Sequence, residues 1–336
     1  MSRLFELLGP PTPLTAYLAD ELREVDRIFR AQLQSDLPPV NRLCSHLERY
    51  RGKMLRPALT LLSGVAAAGD RTPAPSEPLR ILAAVVEMIH MATLVHDDVL
   101  DEASLRRKGA TVNYLHGNEA AVLLGDYLIS NAFHLCSSLG RPEINRRIGA
   151  VTNATCAGEL LQLHHRGHWS LDEATYFTII ERKTAELIRV SCELAAVLTS
   201  AAPPVVAALA EYGFRLGVAF QIQDDIIDLS GQEQVVGKNV AKDLEMSKPT
   251  LPVIWFLAAA EPPQREAMLS LLTGPKSVET AGRVRELLDR AGSLDHAARC
   301  AADHVGRATA ALDQVPHGPG RTMLLELAHL LSKRDL

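Results

Sequence analysis

The sequence predicts an all-α protein, a single-domain helical bundle around a central cavity. Three observations predict it. Leu, Ala and Val dominate a chain that is 47% hydrophobic and only 4% aromatic, and Ala and Leu are strong helix formers. Apolar residues recur at helical spacing along most of the 336 residues. No segment alternates β-branched and polar residues, so no strands are expected. No Ser/Gly linker or low-complexity run divides the chain, and its length is ample for a sizeable core.

The elements follow in order. After the non-helical lead-in Gly9–Pro13, the spacing of Leu18, Leu22, Val25 and Ile28 predicts an amphipathic helix. A second follows Pro38-Pro39 through Leu43 and Leu47 to Tyr50, and a third runs from Met54 to Ala67. A loop at Asp70–Pro75 precedes an apolar helix over Ile81–Val95. Arg106-Arg107-Lys108-Gly109 reads as a basic turn. Further helices are predicted at 119–138, 142–163, 172–198 and 205–229, then a polar loop from Ser230 to Lys248. Thr250-Leu251-Pro252 opens a last helical region, with helices at 262–272, 278–292, 294–314 and 323–332.

Bulk properties exclude several classes. A net charge of −5 gives no basic field for nucleic acid. Cysteines 44, 136, 156, 192 and 300 have no paired spacing and read as buried thiols of a reducing compartment. The N-terminus lacks the apolar core of a signal peptide. No uninterrupted apolar run reaches the ~20 residues of a membrane span, and Pro203-Pro204 breaks the candidate at Leu194–Leu209. A soluble cytoplasmic protein is expected.

The chemistry centres on the end of the helix at 81–95. Asp97, Asp98 and Asp101 arrive within five residues. Positions i and i+4 share a helix face, so Asp97 and Asp101 point the same way. Asp98 lies about 100° round from Asp97. Carboxylates at the end of an apolar helix repel and lose hydration, which calls for a cation. Oxygen ligands without a Cys or His cage suit Mg²⁺ better than zinc. Asp224, Asp225 and Asp228 repeat the Asp-Asp-x-x-Asp pattern after a second apolar helical run. One such triplet is often a solvated helix end; two, each bounded by apolar residues, point to a shared metal site.

Several blocks, in order, resemble the trans-isoprenyl (polyprenyl) diphosphate synthases. They are Gly52-Lys53-Met54-Leu55-Arg56-Pro57, Glu87 to Asp101, Arg106-Arg107, Gly158-Glu159-Leu160-Leu161-Gln162-Leu163, Lys183-Thr184-Ala185, Phe220 to Asp228, and Gly237-Lys238 through Lys248–Pro252. The resemblance implies the isoprenoid-synthase type of helical fold and a Mg²⁺-dependent head-to-tail transfer. An allylic diphosphate loses its diphosphate, and the cation alkylates isopentenyl diphosphate. It implies up to three Mg²⁺ ions, held by Asp97, Asp101 and Asp224, with Asp98, Asp225 and Asp228 in the catalytic set. It assigns Lys53, Arg56, His90 and Arg107 to isopentenyl diphosphate. Arg106, Lys183, Lys238, Thr184, Gln221 and Lys248 are similar to the residues that hold the allylic diphosphate. Arginine forks and lysine point charges suit phosphate oxygens. A homodimer is expected from the resemblance alone. Two departures stand out: Arg51-Gly52 replaces the usual pair of small residues, and Val240-Ala241 and Ser247 stand where the family favours glycine.

The resemblance also implies a tunnel for the growing chain, lined by side chains one to two turns before Asp97, which small residues would leave open. Ala92 and Thr93 are small, and Ile89, a turn deeper, is medium-sized. A long product, about hexaprenyl to decaprenyl, is expected, with Phe133 as a candidate floor. A short-chain farnesyl or geranylgeranyl synthase is the alternative. A terpene cyclase is disfavoured by the second motif, by Lys53-x-x-Arg56 and by the low aromatic content. A subunit of a heteromeric synthase remains open.

Overall fold

The computed structural model describes residues 12–47, 52–69, 76–106, 109–230 and 241–333. Helix α1 (Pro13–Gln32) starts where Thr12 and Thr15 cap each other reciprocally and Pro13 supplies a ready-made first φ. Its Leu18, Leu22 and Val25 are buried, as their spacing predicts. Next come α2 (Pro38–His46), α3 (Leu55–Ala68) and α4 (Glu77–Leu100). Every residue of α4 from Leu82 to Ile89 is buried, almost all of them completely. Burying each Leu, Val or Ile side chain here contributes about 1.5–3 kcal/mol relative to leaving it in water.

A two-residue ladder, β1 (Leu105–Arg106) with β2 (Gly109–Ala110), pairs Arg106 with Gly109. The sequence predicts only a turn here. Two paired residues are too few to show an alternating pattern, so the ladder corrects the expectation of no strands. It is followed by α5 (Val112–His116), too short for a periodic signal, then α6 (Asn118–Ser137) and α7 (Pro142–His164). The helix predicted over 172–198 is three pieces: α8 (Glu173–Ile180), a π-turn at Glu181–Ala185, and α9 (Glu186–Leu198). Helix α10 (Pro203–Ser230) uses the two prolines as its start. Short α11 (Lys242–Glu245) lies within the predicted polar loop. Beyond it are α12 (Leu251–Ala259), α13 (Pro262–Thr273), α14 (Val278–Arg290), α15 (Ser293–Ala311) and α16 (Pro319–Lys333). The last begins before the predicted Met323, because Pro319 opens it where a turn was expected.

Helix α10 organises the packing. Its Leu209, Tyr212 and Leu216 join the main core with α3, α4, α6 and α9. Val218, Ile222 and Ile226 pack with Tyr176, Leu251 and Ala297 in a second cluster. Leu229 reaches a third with Phe256, Met268 and Leu288. Helices α4 and α10 are long and apolar enough to cross a membrane, but 67% and 56% of their apolar windows are buried inside the molecule. They are core helices, and each delivers an aspartate motif at its C-terminal end. Cys44, Cys136 and Cys192 are buried, whereas Cys156 is exposed and Cys300 partly so, which corrects the expectation of five core thiols.

Candidate active site

The π-turn is the hinge of the site. A Cβ on Gly158 of α7 would lie 2.7 Å from the Lys183 backbone nitrogen, and one on Gly217 of α10 would lie 2.6 Å from the Ala185 Cα. Both approaches are closer than any side chain allows, so two glycines let neighbouring helices clamp the turn from either side. Thus held, Lys183 pairs with Glu159 and donates to Gln162 Oε1 at 2.8 Å. Burial works against the Lys183 charge, but Asp97 and Glu159 hold its pKa up at about 12. Thr184, buried, donates its hydroxyl to Gln221 Oε1 at 2.8 Å.

The first motif splits by face. Asp98 is 1% exposed and turned into the protein, where Arg106 Nη2 and Nε lie 2.7 and 2.9 Å from its Oδ1. Asp101 caps α4 and faces Lys248 Nζ at 2.8 Å and Arg166 Nη2 at 2.7 Å. Burial would raise the Asp101 carboxyl, but the Lys248 ammonium pulls it below the usual range. Burial pushes the Asp97 carboxyl up; Lys183 opposes this, and the Glu159 and Asp101 carboxylates add to it.

The second motif ends α10. Asp225 is buried; it accepts the Tyr176 hydroxyl at 2.7 Å and the Gln221 amide at 2.9 Å. Burial and the Asp243 carboxylate hold its own carboxyl well above the ordinary range. Asp228 accepts the backbone N–H groups of Lys242 and Asp243 at 3.2 and 3.0 Å. Burial, then Asp243, pushes it up to about 7.

Two bridges join the motifs. The segment 241–248 gives Asp228 its backbone donors and gives Asp101 the buried Lys248. The π-turn sets Lys183 beside Asp97 and Thr184 on Gln221, which in turn donates to Asp225. The two acidic helix ends therefore address a common region.

The remaining expected residues are distributed around it. Lys53 is half-buried just before α3, and Arg56 stands in the first turn of α3. The Arg56 Nε is buried without a hydrogen-bond partner, and burial, opposed by Glu87, lowers its pKa to about 10. His90 is half-buried two turns before Asp97. Ala92 and Ile89 are wholly buried in the main core, while Thr93 is half-buried, its hydroxyl on the His90 carbonyl. Arg107 and Lys238 lie outside the described residues. Arg166, Tyr176 and Asp243 were not singled out from the sequence, and Glu159 and Gln162 only as members of a matching block without a role. Their partners are far along the chain, so no spacing marks them.

Paired Asp-Asp-x-x-Asp helix ends, converging on the buried Lys248 and the half-buried Lys183 inside an all-α bundle, define an isoprenoid-synthase-type transferase. Residues 38–290 match the family profile of the polyprenyl synthetases. The octaprenyl diphosphate synthase of Escherichia coli K12 is 32% identical over 317 residues, 94% of this chain and 97% of that one. Component 2 of the heptaprenyl diphosphate synthase of Geobacillus stearothermophilus is 32% identical over 321 residues, covering 95% and 98%. The crystal structure of a Caulobacter crescentus CB15 polyprenyl synthase, complexed with calcium and isoprenyl diphosphate, superposes with a TM-score of 0.89 at 33% identity, covering 97% of this chain and 100% of that one. The chain belongs to the polyprenyl synthetase family and is a prenyltransferase.

Proposed function

We propose that the chain condenses isopentenyl diphosphate with an allylic prenyl diphosphate and makes a long all-trans polyprenyl diphosphate, about hexaprenyl to decaprenyl. The observation that carries this is the double bridge between the aspartate motifs, through Lys248 and through the π-turn. The octaprenyl and heptaprenyl synthases among its relatives support the long product.

The donor set fits a hard divalent cation. It is oxygen-only, and burial, with neighbouring carboxylates adding to it, raises the Asp97 and Asp228 carboxyls, a strain that a cation would relieve. Asp97, Asp101 and Asp224 would hold up to three Mg²⁺, with Asp228 behind them; the Caulobacter structure contains calcium. When bound, Mg²⁺ stabilises the negative charge that builds on the leaving diphosphate.

The chain's own residues do the rest. Lys53, Arg56, Arg107 and His90 grip isopentenyl diphosphate and aim its double bond; the unpartnered Arg56 Nε suits a phosphate oxygen. Lys183, Lys248, Lys238, Thr184 and Gln221 receive the allylic diphosphate. Lys183 and Lys248 exchange carboxylate partners for phosphate as it enters. Arg106 bears on the site through Asp98, which fixes the last turn of α4. Burial around Lys248 and Thr184 keeps water from the allylic cation. Ala92, Thr93 and Ile89 shape the path of the tail.

The assembly is a homodimer in this reading. Val122 and Leu123 of α6 and Leu160 and Leu163 of α7 are exposed apolar side chains on adjacent helices, a surface suited to a second copy. One domain in the cytoplasm completes the reading, since both span-length helices are core.

The test supplies the purified chain with farnesyl and isopentenyl diphosphates and Mg²⁺ and chromatographs the products. Polyprenyl products of six or more units are expected. Arrest at farnesyl or geranylgeranyl would overturn the long-chain reading. No consumption of isopentenyl diphosphate by the chain alone would favour the heteromeric alternative, in line with the two-component relative.

A further inference from the structure

Three histidines at the end of α7 stand apart from the residues assigned above to prenyl transfer. His164, the last residue of the helix, His165 and His168 bring one ring nitrogen each within 4.8 Å of one another. Their ring centroids are 4.9, 5.7 and 5.6 Å apart, and the rings stand nearly perpendicular. His164 and His168 are exposed and His165 is half-buried, so solvent reaches the group. None of the three rings hydrogen-bonds to a protein group among the described residues.

The turn beneath them is rigidly held. Arg166, between the histidines, donates to the Leu100 carbonyl at 3.1 Å and to Asp101 Oδ1 at 2.7 Å. The Gly167 N–H donates to the Ser247 carbonyl at 2.7 Å, and its φ of +74° closes the turn. A tetrahedral ion with ligand bonds of about 2.0–2.1 Å needs nitrogens about 3.3 Å apart. Side-chain rotations in two exposed rings supply that change without moving the backbone. Burial, with His164 and His168 alongside, lowers the His165 pKa below its ordinary value, which favours the neutral, ligating form of that ring.

We propose that His164, His165 and His168 form a three-imidazole site for a borderline transition-metal ion of the Zn²⁺ class, with water in the fourth position. Imidazole selects Zn²⁺, Co²⁺ or Ni²⁺ over Mg²⁺, and three ligands plus an open position make a complete first shell. The site is chemically separate from the carboxylates, which take hard cations.

The test uses the full, untagged chain, stripped with chelator and then kept in excess Mg²⁺ so that the aspartates hold their own ion. Co²⁺ is titrated in, and Zn²⁺ is competed against it. One equivalent with the visible bands of tetrahedral Co²⁺, displaced by Zn²⁺, is expected. The double variant His164→Ala, His168→Ala is expected to lose those bands, with affinity down at least about tenfold and prenyl transfer with Mg²⁺ retained. His168→Asn alone alters one exposed side chain and guards against misfolding; it is expected to weaken Co²⁺ as well. Equal Co²⁺ affinity in wild type and His168→Asn, or no tetrahedral bands at one equivalent, would overturn the site.

Discussion

Lys248 Nζ lies 2.8 Å from Asp101 Oδ2 and 4.0 Å from Asp243 Oδ1. One buried ammonium thus joins the end of the first acidic helix to the segment that caps the second. Its loss should be felt at both. Lys248→Met is expected to lower kcat/KM about a hundredfold, the usual size for removing one charge-stabilising donor. Steady-state kinetics measure it, and an unchanged far-UV circular dichroism spectrum separates chemistry from misfolding. A loss under threefold would mean that Lys248 is structural only.

Asp228 predicts a dependence on pH and metal. Its folded pKa of about 7 stands well above that of an ordinary aspartate, so the folded state keeps a proton that the unfolded chain releases. The associated stability is therefore full below about pH 4 and is lost as pH rises through 7. A bound cation offsets the loss by favouring the ionised carboxylate. Urea unfolding of chelated protein should show weaker stability at pH 8 than at pH 6, and Mg²⁺ should stabilise more at pH 8. An equal Mg²⁺ increment at both, unaltered by Asp228→Asn, would contradict this.

The glycine clamp gives a contrast between substitutions of one kind. Gly217→Ala and Gly158→Ala drive a methyl into the π-turn backbone and should each cost about 1–3 kcal/mol, the range for overpacking. Gly282→Ala, on α14 with nothing within 4 Å, should instead gain up to about 1 kcal/mol through helix propensity. Denaturant midpoints compare the three directly.

Ala241 and Ser247, with φ of 63° and 53°, adopt the left-handed conformation that residues other than glycine disfavour. Replacing either by Gly relieves a steric cost of about 1–2 kcal/mol and returns part of it as unfolded-state entropy. A net gain of about 0.5–1 kcal/mol is expected for Ser247→Gly. Thermal unfolding checks it, and a fall in stability would show that Ser247 contributes more than its backbone.

Ala92 is completely buried on the face of α4 that precedes Asp97. Ala92→Phe is expected to shorten the product, and also to cost about 1–3 kcal/mol because Ala92 is wholly buried in the main core. Product chromatography of the folded variant decides; an unaltered chain length would remove Ala92 from the tail's path.

Local spacing made much of this legible. Leu18, Leu22 and Val25 mark α1 because one buried stripe repeats every turn. The aspartates are readable because i and i+4 share a face, and α4 does set Asp97 and Asp101 toward Lys183 and Lys248 while Asp98 turns inward to Arg106. Contacts made across the chain were not readable. Nothing near Arg166 announces Asp101, 65 residues away, and nothing near Tyr176 announces Asp225. The π-turn was hidden as well, because a helical run looks the same in sequence whether its hydrogen bonds span four residues or five.

That turn alters the angular phase of the residues on either side of it. Tyr176 and Thr184 are eight positions apart, which in an unbroken α-helix would splay them by about 80°. Absorbing one residue in the wide turn reduces the mismatch to about 20°. Both hydroxyls can then serve a single carboxylate, Tyr176 directly and Thr184 by way of Gln221. A one-residue deletion at Glu181 or Arg182 would keep that phase in a regular helix and would remove only the widened turn that carries Lys183.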